Sequence, residues 1–599
     1  MRSSVVVNFL LVVFLNAFSD LGHKINIQNT IFKTYDGSEQ IVLTAVVNAL
    51  MLLPFILAFS PSAFLSSRFD KARILQVSSF VAIIITLLIT LSYYNGWFWL
   101  AFTFTFAMAL QSAFYSPAKY AYLKELLGES KLSVANGALQ AVTTVAILAG
   151  IIVYTLFFES IVGDEFRGSE EIIERIAPLG WLLVAGSVLE FLLSLRLTRL
   201  RSYEGRRFSF RRYIKLFYLR KNLKTITRKR DLLSLVFALS IFWSISQVIL
   251  AIFGEYVKTN LGITNAIFVQ GVMASSIIGI VAGSLIVARL SRYYINVGFA
   301  SIGAVMVASL TLLLSMTQNS YLLTLEFVLF GFFSGFIIVP LNAKMQFIAP
   351  NIHLGSILAG NNFIQTLFMF ASLMLTTLFA YFGADAKVLF YAMSLAGVLL
   401  FVLLLRRYGV ISAWAFLELV ARLRYRFVYE GLDLLDGKTP LLLAGNHISW
   451  IDWLALQLPF ERRVAFLIDK EIYDKPLLKP FLRTAGLIPI SARASKDAFK
   501  RASAHLRNGG MVAIFPEGEI VRSGEAAEFR NGLNYIDLSG VKVVPFYISG
   551  LFGSVFARFD DGSRSLRRRV VKVHFGLRGD SSTLRDDVLK LRDDKIAQK

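Results

Sequence analysis

Residues 232–253 read LLSLVFALSIFWSISQVILAIF, a run of 22 residues without a charged side chain. An α-helix rises about 1.5 Å per residue, so a run of this length can span the roughly 30 Å hydrocarbon core of a bilayer. The segment before it, Arg196–Arg230, carries fourteen Lys and Arg against the single acid Glu204. Such an excess of positive charge is typical of the cytoplasmic side of a membrane protein. This stretch therefore predicts a membrane-spanning chain and its orientation.

The composition of the whole chain agrees with a membrane protein. Hydrophobic residues make up 56% of the 599 residues, the mean hydropathy is +0.61, and charged residues make up only 17%. Soluble domains usually contain about 25% charged residues. The formal net charge of +22 lies in patches between apolar runs, which suits an anionic membrane surface and not a nucleic acid. The lack of cysteine excludes disulfides, thiolate metal sites and a cysteine nucleophile.

Twelve apolar stretches, most of them 17 to 25 residues long, run from Val5 to about Arg406. Their centres lie near residues 13, 50, 84, 105, 145, 188, 244, 277, 306, 330, 367 and 396. The basic segment divides them into six plus six, an arrangement found in transporters built from two halves around a central site. Ser66–Arg73 forms a weak version of the major-facilitator signature. The predicted membrane region, 1–407, has three parts: the halves 1–198 and 231–407, and the basic cytoplasmic linker 199–230.

After Arg407 the pattern changes to that of an α/β domain, in which short apolar runs alternate with helical stretches. The predicted strands are Pro440–Ala444, Val464–Ile468, Leu487–Ile490, Met511–Phe515, Val541–Tyr547 and Val570–Phe575. Residues 408–430 mix aromatic, aliphatic and arginine side chains, which predicts an interfacial helix or linker. The α/β domain is expected over 431–599, on the cytoplasmic side of the membrane.

One pair of residues in this domain has the pattern of a catalytic base. The segment NHISWID, Asn446–Asp452, places a carboxylate five positions after His447. The aspartate can accept a hydrogen bond from one ring nitrogen and leave the other free to remove a hydroxyl proton. This requires His447 to end a strand or loop and Asp452 to lie in the first turn of a helix. The alternative is a capping box from Ser449 to Asp452, which would serve only the helix start.

NHISWID is followed by FPEGE at Phe515–Glu519 and by VVPF at Val543–Phe546. These segments resemble motifs one, three and four of the glycerolipid acyltransferases, the lysophosphatidic acid acyltransferase family. The resemblance covers roughly residues 425–590. It implies an O-acyltransferase that uses an acyl thioester as donor.

The resemblance also implies roles for individual residues. His447 would be the general base and Asp452 its partner. The substrate-binding residues would be Asn446, Arg493, Glu517 and Gly518.

Two departures from the family pattern bear on the substrate. Ala492 stands where the second motif usually has an arginine, and Arg493 follows one residue late. The third motif continues Glu519-Ile-Val-Arg522 where Thr-Arg-Ser is common. Both changes favour the branch that acylates lysophosphatidylethanolamine, whose head group is a phosphodiester.

Three segments of the membrane region are similar to the bacterial lysophospholipid transporter family: Tyr115–Tyr120, Ser130–Gly137 and Val339–Ala343. That family is a major-facilitator branch that moves lysophospholipids inward across the inner membrane. In other bacteria it is found fused to an acyltransferase, and usually also to an acyl-carrier-protein synthetase. Because these 599 residues leave no room for the synthetase, we expect the activated acyl donor to come from another protein.

Asp20 and Lys119 are the ionisable residues of the membrane region that we expect to take part in transport. Charged groups at membrane depth are costly and often mark a pathway. An aspartate and a lysine would complement the ammonium and the phosphate of an ethanolamine head group. Both residues also lie near span ends, where snorkelling to the interface would explain them equally well. The histidines outside the motif are expected at the surface: His23, His353, His505 and His574.

These features predict a bifunctional protein of the bacterial inner membrane, with its N-terminus and acyltransferase domain in the cytoplasm. It would import lysophospholipid and re-acylate its free hydroxyl, with acyl carrier protein or acyl-CoA as donor. Membrane lipids are its expected surroundings; no nucleic acid, cofactor or metal ion is expected. Three alternatives remain: a membrane-anchored acyltransferase without transport, a transporter with a vestigial acyltransferase domain, and a general exporter of amphiphiles.

Overall fold

The computed structural model describes residues 2–127, 132–163, 168–199, 209–349, 354–435, 439–491, 495–522, 527–558, 568–578 and 583–593. These residues fall into two compact units. The first unit contains Met1–Val287 and Ala300–Leu404, and the second contains Ala288–Phe299 and Leu405–Lys599.

The first unit is a bundle of long apolar helices with short helices in the connections. Its elements are α1 (Arg2–Thr34), α2 (Gly37–Leu57), α3 (Phe59–Arg68), α4 (Lys71–Tyr94), α5 (Phe98–Leu127), α6 (Leu132–Val162), α7 (Ser169–Arg175), α8 (Ala177–Ser194), α9 (Phe210–Ile214), α10 (Phe217–Thr227), α11 (Arg230–Leu261), α12 (Ala266–Leu290), α13 (Gly298–Leu314), α14 (Ser320–Ile348), α15 (Leu354–Tyr381) and the first part of α16 (Ala386–Arg424).

Within the described residues, eleven helices are long and apolar enough to cross a membrane. The predicted ninth span, centred near residue 306, is α13, whose 17 residues make it a shorter apolar helix than the other eleven. A helix of this length is about 25 Å long, slightly less than the hydrocarbon core is thick. The twelve predicted spans therefore correspond to eleven long helices and one short one.

Helices α12 and α14 approach each other closely at four glycines. A Cβ atom at Gly283 would lie 1.9 Å from Phe332 O, and one at Gly331 would lie 1.9 Å from Ser276 O. Gly279 and the neighbouring Gly335 face similarly short contacts. In a membrane the lipid is as apolar as the helix surface, so hydrophobic burial gives little reason for two helices to associate. Small residues let the helices approach closely and pack instead.

One lysine joins the two halves of the bundle at one end. Lys258 Nζ, on α11, donates to Phe32 O at 2.9 Å and to Tyr35 O at 3.0 Å. It also forms an ion pair with Asp36 Oδ1 at 2.7 Å. Because Lys258 lies in the second half and these acceptors lie at the end of α1 and in the turn before α2, this ammonium group joins the two halves there.

The expected surface position of His23 is wrong. Its side chain is fully buried, with Nδ1 2.9 Å from Tyr93 Oη and Nε2 3.1 Å from Ala101 O. A buried imidazole is stable when both ring nitrogens have partners, and a neighbouring helix supplies each of them. The His574 side chain is only 12% exposed and lies 3.3 Å from a Glu430 carboxylate oxygen. His505 is partly buried, and His353 lies outside the described residues.

The C-terminal part of the second unit starts with the last part of α16 and then forms a strand where a helix was expected. Backbone dihedrals at Tyr408 (φ −125°, ψ 26°) interrupt α16, which ends at Arg424. Strand β1 follows at Tyr425–Glu430, with Tyr425, Phe427 and Tyr429 buried. Because every second residue is aromatic and buried, the segment has one apolar face when it is extended. This alternation favours a strand, and the helix therefore ends before residue 430.

A seven-stranded sheet forms the centre of the second unit. Its strands are β1, β2 (Leu441–Gly445), β3 (Val464–Asp469), β4 (Ile488–Ile490), β5 (Met511–Ile514), β6 (Lys542–Ser549) and β7 (Arg569–Phe575). Their order is β1-β7-β6-β2-β5-β3-β4, and all neighbours are parallel except β6 and β7. The six predicted strands are confirmed to within two residues at each end. The carboxyl ends of β2 to β6 therefore lie at one edge, which we call the carboxyl edge.

Both faces of this sheet are covered. Along β2, Leu441 and Leu443 belong to one apolar cluster, and Leu442 and Ala444 belong to another on the opposite face. A strand that is buried on both faces is expected to be continuously apolar, as β2 is. The helices of the unit are α17 (Asp452–Gln457), α18 (Lys470–Tyr473), α19 (Lys479–Ala485), α20 (Ser495–Arg507) and α21 (Leu584–Asp593).

We predict that Gly283→Val destabilises the membrane unit, because its side chain would collide with the backbone of α14. Overpacking of this kind typically costs about 1–3 kcal/mol. The control is Gly271→Val in the same helix, where a Cβ meets nothing within 4 Å. Thermal unfolding of the detergent-purified chain should show a lower midpoint for Gly283→Val than for Gly271→Val. Equal midpoints would contradict the close packing of α12 and α14.

Candidate functional site

The polypeptide leaves the carboxyl edge of the sheet at Asn446, directly after β2. Asn446 Nδ2 donates to Ile548 O at 2.8 Å, and Asn446 Oδ1 accepts from Ile548 N at 2.7 Å. The side chain thus pairs with the backbone of β6 in the way a further strand residue would. Gly445 permits this, since a Cβ there would lie 2.1 Å from Phe546 O. Together these contacts fix the position of the backbone immediately before His447.

His447 and Asp452 are in contact as predicted. His447 Nδ1 lies 2.9 Å from Asp452 Oδ2. His447 follows the end of β2, and Asp452 is the first residue of α17, which are the two placements that the spacing of five requires. Because the carboxylate occupies Nδ1, Nε2 is the ring nitrogen that remains available to a substrate.

The same carboxylate oxygen also organises the loop. Asp452 Oδ2 accepts from Ile448 N at 2.7 Å and from Ser449 N at 2.9 Å. The base-orienting interpretation is realised, whereas only half of the predicted capping box forms: Ser449 N donates to Asp452, but Ser449 Oγ donates to Phe556 O at 3.0 Å and the helix starts after Ile451. Asp452 is fully buried; burial raises its pKa, while the hydrogen bonds from His447, Ser449 and Ile448 act in the opposite direction.

Glu517 anchors the backbone of His447. Its Oε2 accepts from His447 N at 2.7 Å, and its Oε1 accepts from Ala527 N at 3.0 Å. The side chain is 3% exposed. Burial raises the pKa of Glu517 to about 7, although the two backbone donors favour the ionised form and limit the rise. Glu517 thus links the turn after β5 to the loop after β2.

The FPEG turn supports the imidazole from its face. The rings of Phe515 and His447 are stacked, with centroids 4.1 Å apart and planes inclined by 16°. Gly518 has φ +79° and donates from its N to Phe515 O at 3.0 Å. That dihedral favours glycine. A Cβ there would also lie 2.9 Å from Arg530 Nε, so the Arg530 side chain lies directly over the turn.

Arg493, the predicted phosphate contact, lies outside the described residues. The described arginines near the motifs include Arg530, Arg558 and Arg585, whose Nε donates to Ala527 O at 3.1 Å. Arg530 covers Gly518, and the Arg558 guanidinium lies 4.8 Å from the centre of the Trp450 ring. Among the described residues, no three His, Asp or Glu side chains converge on a possible metal ion.

In the membrane unit, Asp20 lies on α1 and Lys119 lies on the neighbouring helix α5. Ser112 Oγ, on the same helix as Lys119, donates to Asp20 Oδ2. The Lys119 ammonium also lies 5.3 Å from the centre of the Tyr120 ring. The two residues chosen from the sequence therefore lie on helices that pack against each other, and Ser112 joins Asp20 to the helix that carries Lys119.

Glu190 is a further buried acid in this region that the sequence analysis did not select. It lies on α8 with no exposed surface, and Ser79 Oγ donates to its Oε1 at 2.6 Å. The sequence signal for it is a lone glutamate within the apolar run Ala177–Ser194. Because a charge at membrane depth is costly, such a residue often has a function.

We predict that Glu517→Gln lowers acyl transfer less than Glu517→Ala does. Glutamine keeps one oxygen to accept from His447 N, whereas alanine leaves that buried donor unpaired, at a cost of about 1–3 kcal/mol. Glutamine also resembles the protonated acid, so its activity should vary less than that of the wild type between pH 6 and 8. Initial rates measured across that range test both statements. Equal losses in the two variants would contradict the anchoring role of Glu517.

Two family models match the chain. The model of the Major Facilitator Superfamily matches residues 9–373, and the Acyltransferase model matches residues 426–549. The first match covers well over half of the chain and ends within the membrane unit. The second begins in β1 and ends with β6, so it contains His447, Asp452 and Glu517.

Curated relatives match the two regions separately. The chain is 26% identical over 299 residues to the lysophospholipid transporter LplT of Cronobacter sakazakii, covering 50% of this chain and 68% of that protein. It is 27% identical over 239 residues to LplT of Citrobacter koseri, covering 40% and 56%. It is 25% identical over 124 residues to 1-acyl-sn-glycerol-3-phosphate acyltransferase of Borreliella burgdorferi, covering 20% and 50%. The chain thus spans about half to two thirds of these relatives.

Solved structures share the fold of the membrane unit. A POT family transporter in complex with a thioalcohol-conjugated peptide superposes with a TM-score of 0.52 at 14% identity, covering 68% of this chain and 96% of that chain. A POT family transporter in complex with 5-aminolevulinic acid also gives 0.52, at 13% identity and the same coverage. At such identities the likeness concerns the fold alone. Because a family model matches more than half of its residues, the chain belongs to the major facilitator superfamily, and it carries a C-terminal acyltransferase-family domain.

Proposed function

We propose that the membrane unit moves lysophospholipid inward across the bacterial inner membrane and that the C-terminal domain re-acylates it. The observation that carries the enzymatic part is the contact of His447 Nδ1 with a buried Asp452 carboxylate at the carboxyl edge of a mainly parallel sheet. Two relatives named as lysophospholipid transporters and one named as an acyltransferase support the pairing of activities.

In the proposed reaction His447 is the general base. Its Nε2 removes the proton of the free hydroxyl of the lysophospholipid, and the oxygen attacks the carbonyl carbon of an acyl thioester. The carbon–sulfur bond then breaks, and the leaving thiolate takes the proton back from the imidazolium. The buried Asp452 carboxylate stabilises the imidazolium between these steps. No acyl group is attached to the protein at any stage.

We further propose lysophosphatidylethanolamine as the substrate and acyl carrier protein or acyl-CoA as the donor. The replacement of the usual arginine of the second motif by Ala492 supports a head group other than a phosphate monoester. In this proposal Asn446, Glu517 and Gly518 shape the glycerophosphate site, and Arg493 contacts the phosphate.

Transport is proposed to use the pair formed by Asp20 and Lys119. A carboxylate on α1 and an ammonium on the adjoining α5 can bind the ammonium and the phosphate of a zwitterionic head group. The contacts of Lys258 with Phe32, Tyr35 and Asp36 join the two halves at one end. Loading from one side and release at the other requires these contacts to break and re-form, as alternating access demands.

The acyltransferase proposal is tested by replacing the base. We expect His447→Ala in the full-length purified chain to lower acyl transfer to lysophosphatidylethanolamine about 100- to 10,000-fold, the usual contribution of general base catalysis. Product formation is measured with acyl carrier protein and coenzyme A thioesters in turn, and with lysophosphatidic acid as the competing acceptor.

The matched control for this experiment is His505→Gln, since His505 lies just before β5, at the opposite edge of the sheet. This variant should keep the wild-type rate. Acyl transfer by the wild type that survives in His447→Ala would remove His447 from the mechanism. No transfer by the wild type with any donor would favour a transporter with a vestigial domain.

The transport proposal predicts that Lys119→Met lowers uptake of labelled lysophospholipid into proteoliposomes about tenfold or more. Acyl transfer to detergent-dispersed substrate should be unchanged, because the acyltransferase domain is intact. Lys387→Met, the same change at the start of α16, serves as the control. Uptake that is unaffected by Lys119→Met and by Asp20→Asn would favour a membrane unit that only anchors the enzyme.

A further inference from the structure

An exposed apolar turn connects α18 and α19 in the acyltransferase domain. Residues 474–480 read DKPLLKP, and all seven are exposed. Leu477 is 94% exposed and Leu478 is 41% exposed. A single exposed leucine is ordinary on a soluble surface, but two adjacent leucines at the tip of a turn between two lysines have the composition of a segment that enters a lipid interface.

The packing of α19 places this turn next to a helix that continues from the last membrane span. Ala485 and Phe481 of α19 share an apolar cluster with Val410 and Trp414 of α16. Those two residues follow the interruption at Tyr408, only a few residues after the apolar part of α16. The helix that follows the turn is therefore held beside the residues that directly follow the apolar, span-length part of α16.

The turn also lies at the carboxyl edge of the sheet, where His447 is located. It follows β3, which ends at Asp469 and is parallel to β5, which in turn is parallel to β2. His447 follows β2 at that same edge. A lipid that enters at this edge would reach the base without leaving the interface.

The charges of the turn agree with a lipid surface. Lys475 and Lys479 flank the two leucines, and Lys479 Nζ is paired with Asp474 at 2.8 Å. Their aliphatic stems can lie along acyl chains while the ammonium groups stay at the level of the phosphates. The net charge of the turn is only +1, so its insertion would depend mainly on the leucines and not on attraction to an acidic protein.

We propose that Leu477 and Leu478 insert into the bilayer surface and thereby hold the mouth of the acyltransferase site against the membrane. The occupant of this surface is lipid, and the lysophospholipid substrate enters from it. Only the kinetic consequence rests on the proposed acyl transfer; the insertion itself does not.

Insertion is tested directly by a spin label, for which the lack of native cysteine is convenient. Leu477→Cys is labelled with a nitroxide in the full-length chain in proteoliposomes. The control is Leu577→Cys; Leu577 is 55% exposed and follows β7, whose carboxyl end lies at the opposite edge because β7 is antiparallel to β6.

For each label we measure the ratio of its collision rate with oxygen to its collision rate with a water-soluble nickel complex. We expect this ratio to be about threefold or more higher at residue 477 than at residue 577. Equal preference at the two positions would overturn the proposal. So would a label that lies in water in lipid alone and becomes shielded when acyl carrier protein is added, because the turn would then be a protein-docking site.

The kinetic consequence separates insertion from catalysis. Leu477→Glu should raise KM about tenfold for lysophospholipid held in a bilayer and leave kcat unchanged. KM for a short-chain lysophospholipid dissolved as monomers should not change, and Leu577→Glu should alter neither value. A loss of kcat with both substrates would contradict a role in membrane contact. Because the spin-label result needs no activity, a failure of the proposed function would not obscure it.

Discussion

A polar group that is removed from water must find a partner inside the protein, and this constraint accounts for most of what the two units look like. In the membrane unit it forces the backbone into helices, whose hydrogen bonds are satisfied within each segment. It also explains why Lys258 is bonded to Phe32, Tyr35 and Asp36 and why His23 has a partner for each ring nitrogen. Glycines such as Gly283 then allow neighbouring helices to pack closely.

The same constraint builds the acyltransferase site. Asp452 is completely buried and meets three donors at one oxygen, and Glu517 is nearly buried and holds two backbone amides. Each carboxylate is therefore part of the structure of its loop as well as of the chemistry proposed for it. Removing either side chain would leave buried amides unpaired, so variants that keep an acceptor are the informative ones.

Much of the fold could be predicted from the sequence because its signals are strong and local. Apolar runs of about 20 residues predict spans, and short apolar runs between turns predict six of the seven strands. The spacing of His447 and Asp452 placed the pair correctly, since the geometry of a strand followed by a helix leaves few alternatives. The FPEG turn was likewise recognisable from Glu517 and Gly518.

Other features depend on long-range packing and could not be predicted. Strand β1 pairs with β7, almost 150 residues later in the chain, so nothing near Tyr425 predicts its partner. The burial of His23 comes from Tyr93 and Ala101 on two other helices. Glu190 could have been selected as a lone acid in an apolar run, but its contact with Ser79 requires the fold.

The central claim is that lipid delivered by the membrane unit is the substrate of the attached domain. The most direct test uses sealed vesicles with labelled lysophosphatidylethanolamine outside and an acyl thioester inside, with the acyltransferase domain facing inward. The account predicts diacyl product with the wild type, about tenfold less with Lys119→Met, and essentially none with His447→Ala. Product that forms at the wild-type rate in Lys119→Met vesicles would contradict it, because the lipid would then reach the domain without transport through the helices.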